Sequence, residues 1–193
     1  AEAHSMVEIY LGSTKIHTMN ASATGNWSYD YTGTTLAEGT HVFTTFATDS
    51  AGNVSAVSDK LWLRIDATAP NAPSISSITT DSGQSGSDGI TNDQNLVFSG
   101  TAEDYSRVEL FIDNSSIDTV DANGSGAWTY DYSATTLAGG DYTFTATALD
   151  SAGNLSSTSS DFDITVDTTA PVIVNVSSTS SDDEYNEGSI LTI

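Results

Sequence analysis

Asp66 and Asp150 stand out, by type and by recurrence, among the residues that could do chemistry, and the chemistry they suit is cation binding. Asp49-Ser50-Ala51-Gly52-Asn53 returns as Asp150-Ser151-Ala152-Gly153-Asn154. Asp66-Ala67-Thr68-Ala69-Pro70 returns as Asp167-Thr168-Thr169-Ala170-Pro171 at the same offset of 101 residues. Ca²⁺ takes about six to eight oxygens from carboxylates, amide carbonyls, main chain and water. The chain has no EF-hand pattern, so a site must be assembled from separated loops. The candidate ligands fall into two groups. Asp66, Glu103, Asp104, Asp150 and Asn154 belong to the pole where the chain enters the second repeat. Asp167, Asp81, Asp88 and Asp93 belong to the pole where it leaves. Asp49 is the counterpart of Asp150 in the first repeat. Several carboxylates meeting on a short linker repel one another strongly unless a cation holds them. The alternative is a set of solvated loop acids, each bonding its own downstream amides in an Asx turn.

Charge supports the same chemistry and excludes others. Only Lys15, Lys60, Arg64 and Arg107 are basic, against 26 Asp and Glu, for a formal net charge of -22. No basic footprint for nucleic acid exists, and neither anionic membrane binding nor membrane insertion is expected. Such a chain repels itself unless it is screened or bound by cations. Salt-tolerant solubility and divalent-cation binding both fit. With no cysteine, disulfides and thiolate metal sites are excluded. No apolar run approaches the roughly 20 residues of a membrane span, and no signal peptide is seen at the start.

Catalysis finds little support. His4, His17 and His41 all lie in the first repeat, and Tyr105, Asp118 and Tyr142 stand in their places in the second. A mechanism needing them would exist in one copy only, and no nucleophile elbow or metal–histidine motif occurs. The chain is expected not to be an enzyme. Intramolecular isopeptide bonds are equally unexpected, because the second repeat has no lysine.

The elements that must position these acids are strands. Residues 1–70 align with 102–171 without a gap, a period of the size of one domain. Apolar residues alternate with period two, as in Val108-Glu109-Leu110-Phe111-Ile112. Turn signals recur every 8–12 residues, the spacing of a β-sandwich. The pattern predicts strands over 73–79, 95–100, 106–112, 116–121, 126–132, 140–149 and 160–166. Trp27 and Trp128 head equivalent strands and are read as core anchors. The expected organisation is a partial domain over 1–66, a linker over 67–73, a complete domain over 74–167, and a linker with the first strands of a further domain over 168–193.

Several marks together carry a resemblance. They are Gly100-Thr101-Ala102-Glu103, Gly126-Ala127-Trp128, Ala148-Leu149-Asp150-Ser151-Ala152-Gly153-Asn154, Val166-Asp167-Thr168-Thr169-Ala170-Pro171 and the loop from Asp81 to Thr91. The chain resembles the bacterial immunoglobulin-like tandem repeats of giant RTX-type and biofilm-associated surface adhesins. The resemblance covers 1–171; the stretch over 180–188 suits a different repeat type. It implies an all-β fold of tandem immunoglobulin-like sandwiches, export to the bacterial cell surface, and calcium at domain junctions. The expected role is that of a structural extender whose partners are neighbouring repeats of the same or another copy.

Two other roles stay open. One is a ligand-binding module for a cell-surface or matrix partner, with Tyr105 and Tyr185 as candidate contacts. The other is a fibre subunit. Residue 1 aligns with Ala102, so the first repeat lacks the counterparts of its first two strands. Val172-Ile173-Val174-Asn175-Val176 aligns with a first strand, and Ile190-Leu191-Thr192-Ile193 reads as the start of a second. The tail of one copy could therefore complete the next by strand addition. A window on a longer array explains the same pattern.

Overall fold

The computed structural model describes residues 1–174, which hold twelve strands and no helix. In the first repeat, β1 (Met6–Leu11), β2 (Thr14–Asn20), β3 (Gly39–Thr48) and β4 (Leu61–Ile65) form one antiparallel sheet in the order β2-β1-β3-β4. The second repeat builds two sheets. One contains β5 (Ser74–Ile78), β7 (Val97–Thr101) and β10 (Ala127–Asp131) in the order β10-β7-β5. The other contains β6 (Ile90–Thr91), β8 (Arg107–Ile112), β9 (Ser115–Asp121), β11 (Gly140–Leu149) and β12 (Phe162–Val166) in the order β6-β12-β11-β8-β9.

Period-two alternation sets which face each strand buries. Along β8, Val108 and Leu110 are buried while Arg107 faces solvent. Along β11, Phe144, Ala146 and Ala148 are buried together. The opposite sheet contributes Phe98 and Trp128 to the same core, and Leu96, just before β7, joins them. Burying each large side chain stabilises the sandwich by about 1.5–3 kcal/mol. Phe98 and Phe144 meet across the layers with ring centroids 4.4 Å apart. The β8–β9 hairpin closes on Asp113 and Asn114, both at positive φ (47° and 66°). That is the turn whose twist matches paired strands, and Asp and Asn tolerate it.

Each of the seven strands expected for the second repeat is present within a few residues. The eighth, β6, was not foreseen. Its two residues end a Gly-, Ser- and Asp-rich loop and show no alternation, and parallel pairing with β12 creates the strand (Thr165 opposite Ile90, Val166 opposite Thr91).

The first repeat departs from the second at one element. Residues 26–30 form no strand, although their counterparts make β10. A strand exists through its ladder, and β10 is paired to β7, which has no counterpart within the described part of the first repeat. Trp128 is 3% exposed but Trp27 is 39% exposed, so the reading of Trp27 as a core anchor is corrected. Its small core holds Val7, Ile9 and Ala21. Val172, Ile173 and Val174 are exposed and carry no strand. The expectations for 180–188, Tyr185 and 190–193 lie outside the described residues.

Candidate functional site

The loop from Asp150 to Asn154 is built by its own sequence. Asp150 Oδ1 accepts from the Ala152 and Asn154 amides, both at 2.8 Å, and Oδ2 accepts from Asn154 Nδ2 at 2.8 Å. Gly153, at φ 94°, supplies the left-handed step that brings Asn154 back over the carboxylate. The Asn154 side-chain amide, followed by its backbone N–H, holds the Asp150 carboxyl below the usual carboxylate range. The first repeat builds the same knot. Asp49 Oδ1 accepts from Ala51 and Asn53, its Oδ2 accepts from Asn53 Nδ2 at 2.7 Å, and its carboxyl is lowered for the same reason.

One bond distinguishes the two copies. Asn154 Nδ2 also donates to the Asp66 main-chain carbonyl at 3.1 Å. The loop of the second repeat thus grips the backbone that leads out of the first. Asn53 is exposed, whereas Asn154 is half-buried.

The structure brings Asp66, Asp150 and Asn154 together, although the expected carboxylate of Asp66 is otherwise engaged. Its Oδ2 pairs with Arg64 Nη2 at 2.9 Å, and its Oδ1 accepts from the Thr68 amide at 3.3 Å. Sequence reasoning overlooked Arg64; its signal was its place on the same strand face two residues before Asp66. Glu103 is exposed, and it lines a cleft of about 230 Å³ together with the linker residues Asn71 and Ala72. The Asp104 carboxylate turns toward Gly126.

The far-pole acids divide around β6. Asp167 donates its amide to the Thr91 carbonyl at 2.8 Å, and Asp93 donates its amide to Thr91 Oγ1 at 3.0 Å. Thr91 is buried and also donates its hydroxyl to the Thr80 carbonyl at 2.7 Å. Asp81 and Asp88 lie further along, in a cleft of about 170 Å³ shared with Asp163. Asp81 Oδ2 accepts from the Gly89 amide at 3.1 Å, while its Oδ1 is buried without a partner.

Oxygens of the right kind converge at the near pole, but three residues fall short of the six to eight oxygens calcium takes. Among the described residues, no group of three or more His, Asp or Glu side chains stands close enough to hold a metal. The Asn154 amide presents its N–H side to both Asp66 and Asp150, so the geometry is that of a hydrogen-bonded clasp. Asp49 stands at the equivalent pole of the first repeat, beside a cleft it shares with Ala1 and Glu2. Tyr105 is 75% exposed and at positive φ, as is His4 at the equivalent position.

Comparison with known proteins sets these features in a family. A family model described as a bacterial Ig-like domain matches twice, over residues 1–67 and 68–168. No curated protein matches the chain. Among solved structures, fibronectin(III)-like modules of Clostridium thermocellum CbhA are similar at 18% identity, covering 86% of this chain and 79% of that one, with TM-score 0.40. A structure from a 1.5-MDa bacterial ice-binding adhesin is similar at 22% identity, covering 86% of this chain and 53% of that one, with TM-score 0.42. A biofilm-associated protein BSP domain is similar at 23% identity, covering 88% of this chain and 26% of that one, with TM-score 0.36. A Ca²⁺-stabilized, ice-binding adhesin of an Antarctic bacterium is similar at 22% identity, covering 86% of this chain and 40% of that one, with TM-score 0.38. The chain therefore spans about half or less of the adhesin structures it resembles. With its two matched repeats and its two-sheet sandwich, this chain belongs to the bacterial Ig-like domain family.

Proposed function

We propose that the chain is a stretch of extender repeats from a bacterial cell-surface adhesin, with residues 1–66 and 74–167 as successive domains, 67–73 as their joint and 168–193 leading toward a further one. The role is mechanical and not catalytic: the repeats set distance and present whatever binding module the parent carries. The observation that supports this most directly is the bond from Asn154 Nδ2 to the Asp66 carbonyl. A joint held by the incoming domain bends less than a free linker. Pro70 and Pro73, both buried, add to this, because each fixes φ in the linker.

Calcium is proposed to complete the joint. Its ligands would be the Asp66 carbonyl, Asp150 and Asn154, with Glu103 from the neighbouring exposed loop. Asn154 would turn its carbonyl oxygen inward, and Arg64 would release the Asp66 carboxylate. The pull toward a cation comes from a formal charge of -22 and from the recurrence of the linker aspartate in both repeats. The proposed setting is extracellular, where calcium is abundant. Thermal melting and small-angle scattering in EDTA and in millimolar Ca²⁺ test this. A ligand at a hundred times its dissociation constant stabilises by about 2.7 kcal/mol. A raised melting temperature with a longer, narrower distribution of particle dimensions is expected. Superimposable curves in the two buffers would remove calcium from the account, and a joint that bends freely in both would remove the extender.

A further inference from the structure

We propose that the outer face of the first repeat's sheet binds an acidic polysaccharide, a chain of pyranose rings that each carry a carboxylate. Alternation sets this face. Val7 and Ile9 of β1 turn into the core, so Glu8 and Tyr10 turn outward. On β3, Val42 stands opposite Trp62 of β4, Thr44 opposite Tyr10, and Phe46 opposite Glu8. Residues directly opposite in a ladder share one side of the sheet, so all six lie on this surface. Tyr10 and Phe46 meet edge to face, with ring centroids 5.6 Å apart. Trp62 is 62% exposed, and Lys60 Nζ lies over its ring, 5.6 Å from the centroid.

The second repeat shows that this surface lies outside the sandwich. There the two sheets close over Phe144, Ala146 and Ile164, while Thr143, Thr145 and Asp163 stay on the far side. Asp163 is exposed in that two-sheet sandwich, in the place Trp62 holds in the first repeat. Exposure at this position is thus a property of the outer face itself. The two copies differ in what they put there. Trp62 answers to Asp163, Lys60 to Asp161, Val42 to Thr143, Phe46 to Thr147 and Lys15 to Ser116. One repeat shows threonines and acids; the other shows aromatic rings and cations. Exposed apolar side chains rimmed by polar groups mark interaction sites.

The cations decide the charge of the partner. Lys15 pairs with Glu8 at 2.7 Å, Arg64 with Asp66 at 2.9 Å, and Arg107 with Asp121 at 3.4 Å. Among the described residues, Lys60 is the one basic side chain without an acidic partner, in a chain of formal charge -22. Its ammonium rests against an indole instead. A ligand that brings both a carboxylate and a flat apolar face complements this pair.

A uronate pyranose offers both. The C–H face of its ring covers an aromatic side chain, and its carboxylate forms a charge-assisted hydrogen bond with the ammonium. Its hydroxyls find an acceptor in Glu8 and a donor or acceptor in Thr44. Trp62 on β4 and Tyr10 on β1 stand two strands apart, about 10 Å. That span exceeds one pyranose ring, so an extended saccharide crossing β4, β3 and β1 fits better than a single sugar. A peptide adds to a sheet at its edge, whereas this surface runs across the middle of one.

The test titrates the whole chain with oligogalacturonate, and with its methyl ester, by isothermal calorimetry in EDTA. The chelator keeps calcium from bridging the probe to the acidic loops. The ester keeps every ring and removes the charge. The parent chain should bind the acid form about tenfold or more tightly than the ester, the difference one charge-assisted hydrogen bond makes. Trp62→Ala should weaken both probes by a similar factor, and Lys60→Ala should bring the acid form down to the ester. Both side chains are exposed, so the variants should melt as the parent does. Trp27→Ala, against the inner side of the sheet, should bind as the parent does. A parent chain that shows no saturable binding would overturn the proposal. Binding unmoved by Trp62→Ala and Lys60→Ala would overturn the site. Equal affinity for acid and ester would overturn the charge assigned to the ligand. Sedimentation of the parent that grows with concentration and is abolished by Trp62→Ala, without saccharide binding, would give the face to a second copy and overturn the occupant.

Discussion

Asn154 donates its side-chain amide to the main-chain carbonyl of Asp66, 88 residues earlier in sequence, while the same nitrogen bonds the Asp150 carboxylate. One amide thus ties a turn to the linker in front of it. Asn154→Ala should lose about 1 kcal/mol or somewhat more, the net worth of such bonds. Its specific effect is expected at the joint: limited proteolysis should cut 67–73 faster. Asn53→Ala removes only the bond to the Asp49 carboxylate within the first repeat and should leave the linker's cleavage rate unchanged.

Acid should loosen the same turn. The Asp150 and Asp49 carboxyls are held below their ordinary range by the asparagine amides, so the folded state favours their charged forms. A depressed carboxyl contributes stability above the unfolded pKa, about 3.9 for Asp. That contribution is lost as pH falls below about 4 toward the folded pKa. Carboxyl NMR titration should give midpoints for both below the ordinary Asp value of about 3.9. Asp150→Asn should show faster linker cleavage already at neutral pH.

The two tryptophans should respond unequally. Trp128→Ala empties a core position and should cost roughly 3–5 kcal/mol in denaturant unfolding of the second repeat. Trp27→Ala removes a side chain already 39% exposed and should cost clearly less. Equal losses would mean that Trp27 is buried in solution.

Glycines should separate by what their absent Cβ would meet. Gly100→Val places atoms against the Trp128 indole and the Ser74 carbonyl, neither of which can yield cheaply, so a loss of about 1–3 kcal/mol or more is expected. Gly124→Ala meets the outer end of the Tyr105 ring, which is 75% exposed and can swing away. Its melting temperature should stay close to that of the parent chain.

The sequence by itself carried the all-β character, the repeat and the turn chemistry, because each is local. Alternation along Val108–Ile112 names the buried face of β8 whatever its neighbours do, and the Asp150 knot is closed within five residues by its own amides. It also placed Trp128 in the core and suggested that Asp66 meets Asp150 and Asn154. Tertiary structure decided the rest. Trp27-Ser28-Tyr29-Asp30 and Trp128-Thr129-Tyr130-Asp131 are nearly the same peptide, yet only the second lies on a strand, because a strand's hydrogen bonds come from a distant partner. The two residues of β6 become a strand for the same reason, through β12. At the junction, the Asp66 carboxylate turns to Arg64 on the same chain face, leaving its carbonyl to meet Asn154. Composition counts the charges, but which atom of a residue faces a partner depends on what else stands within reach once the chain has folded.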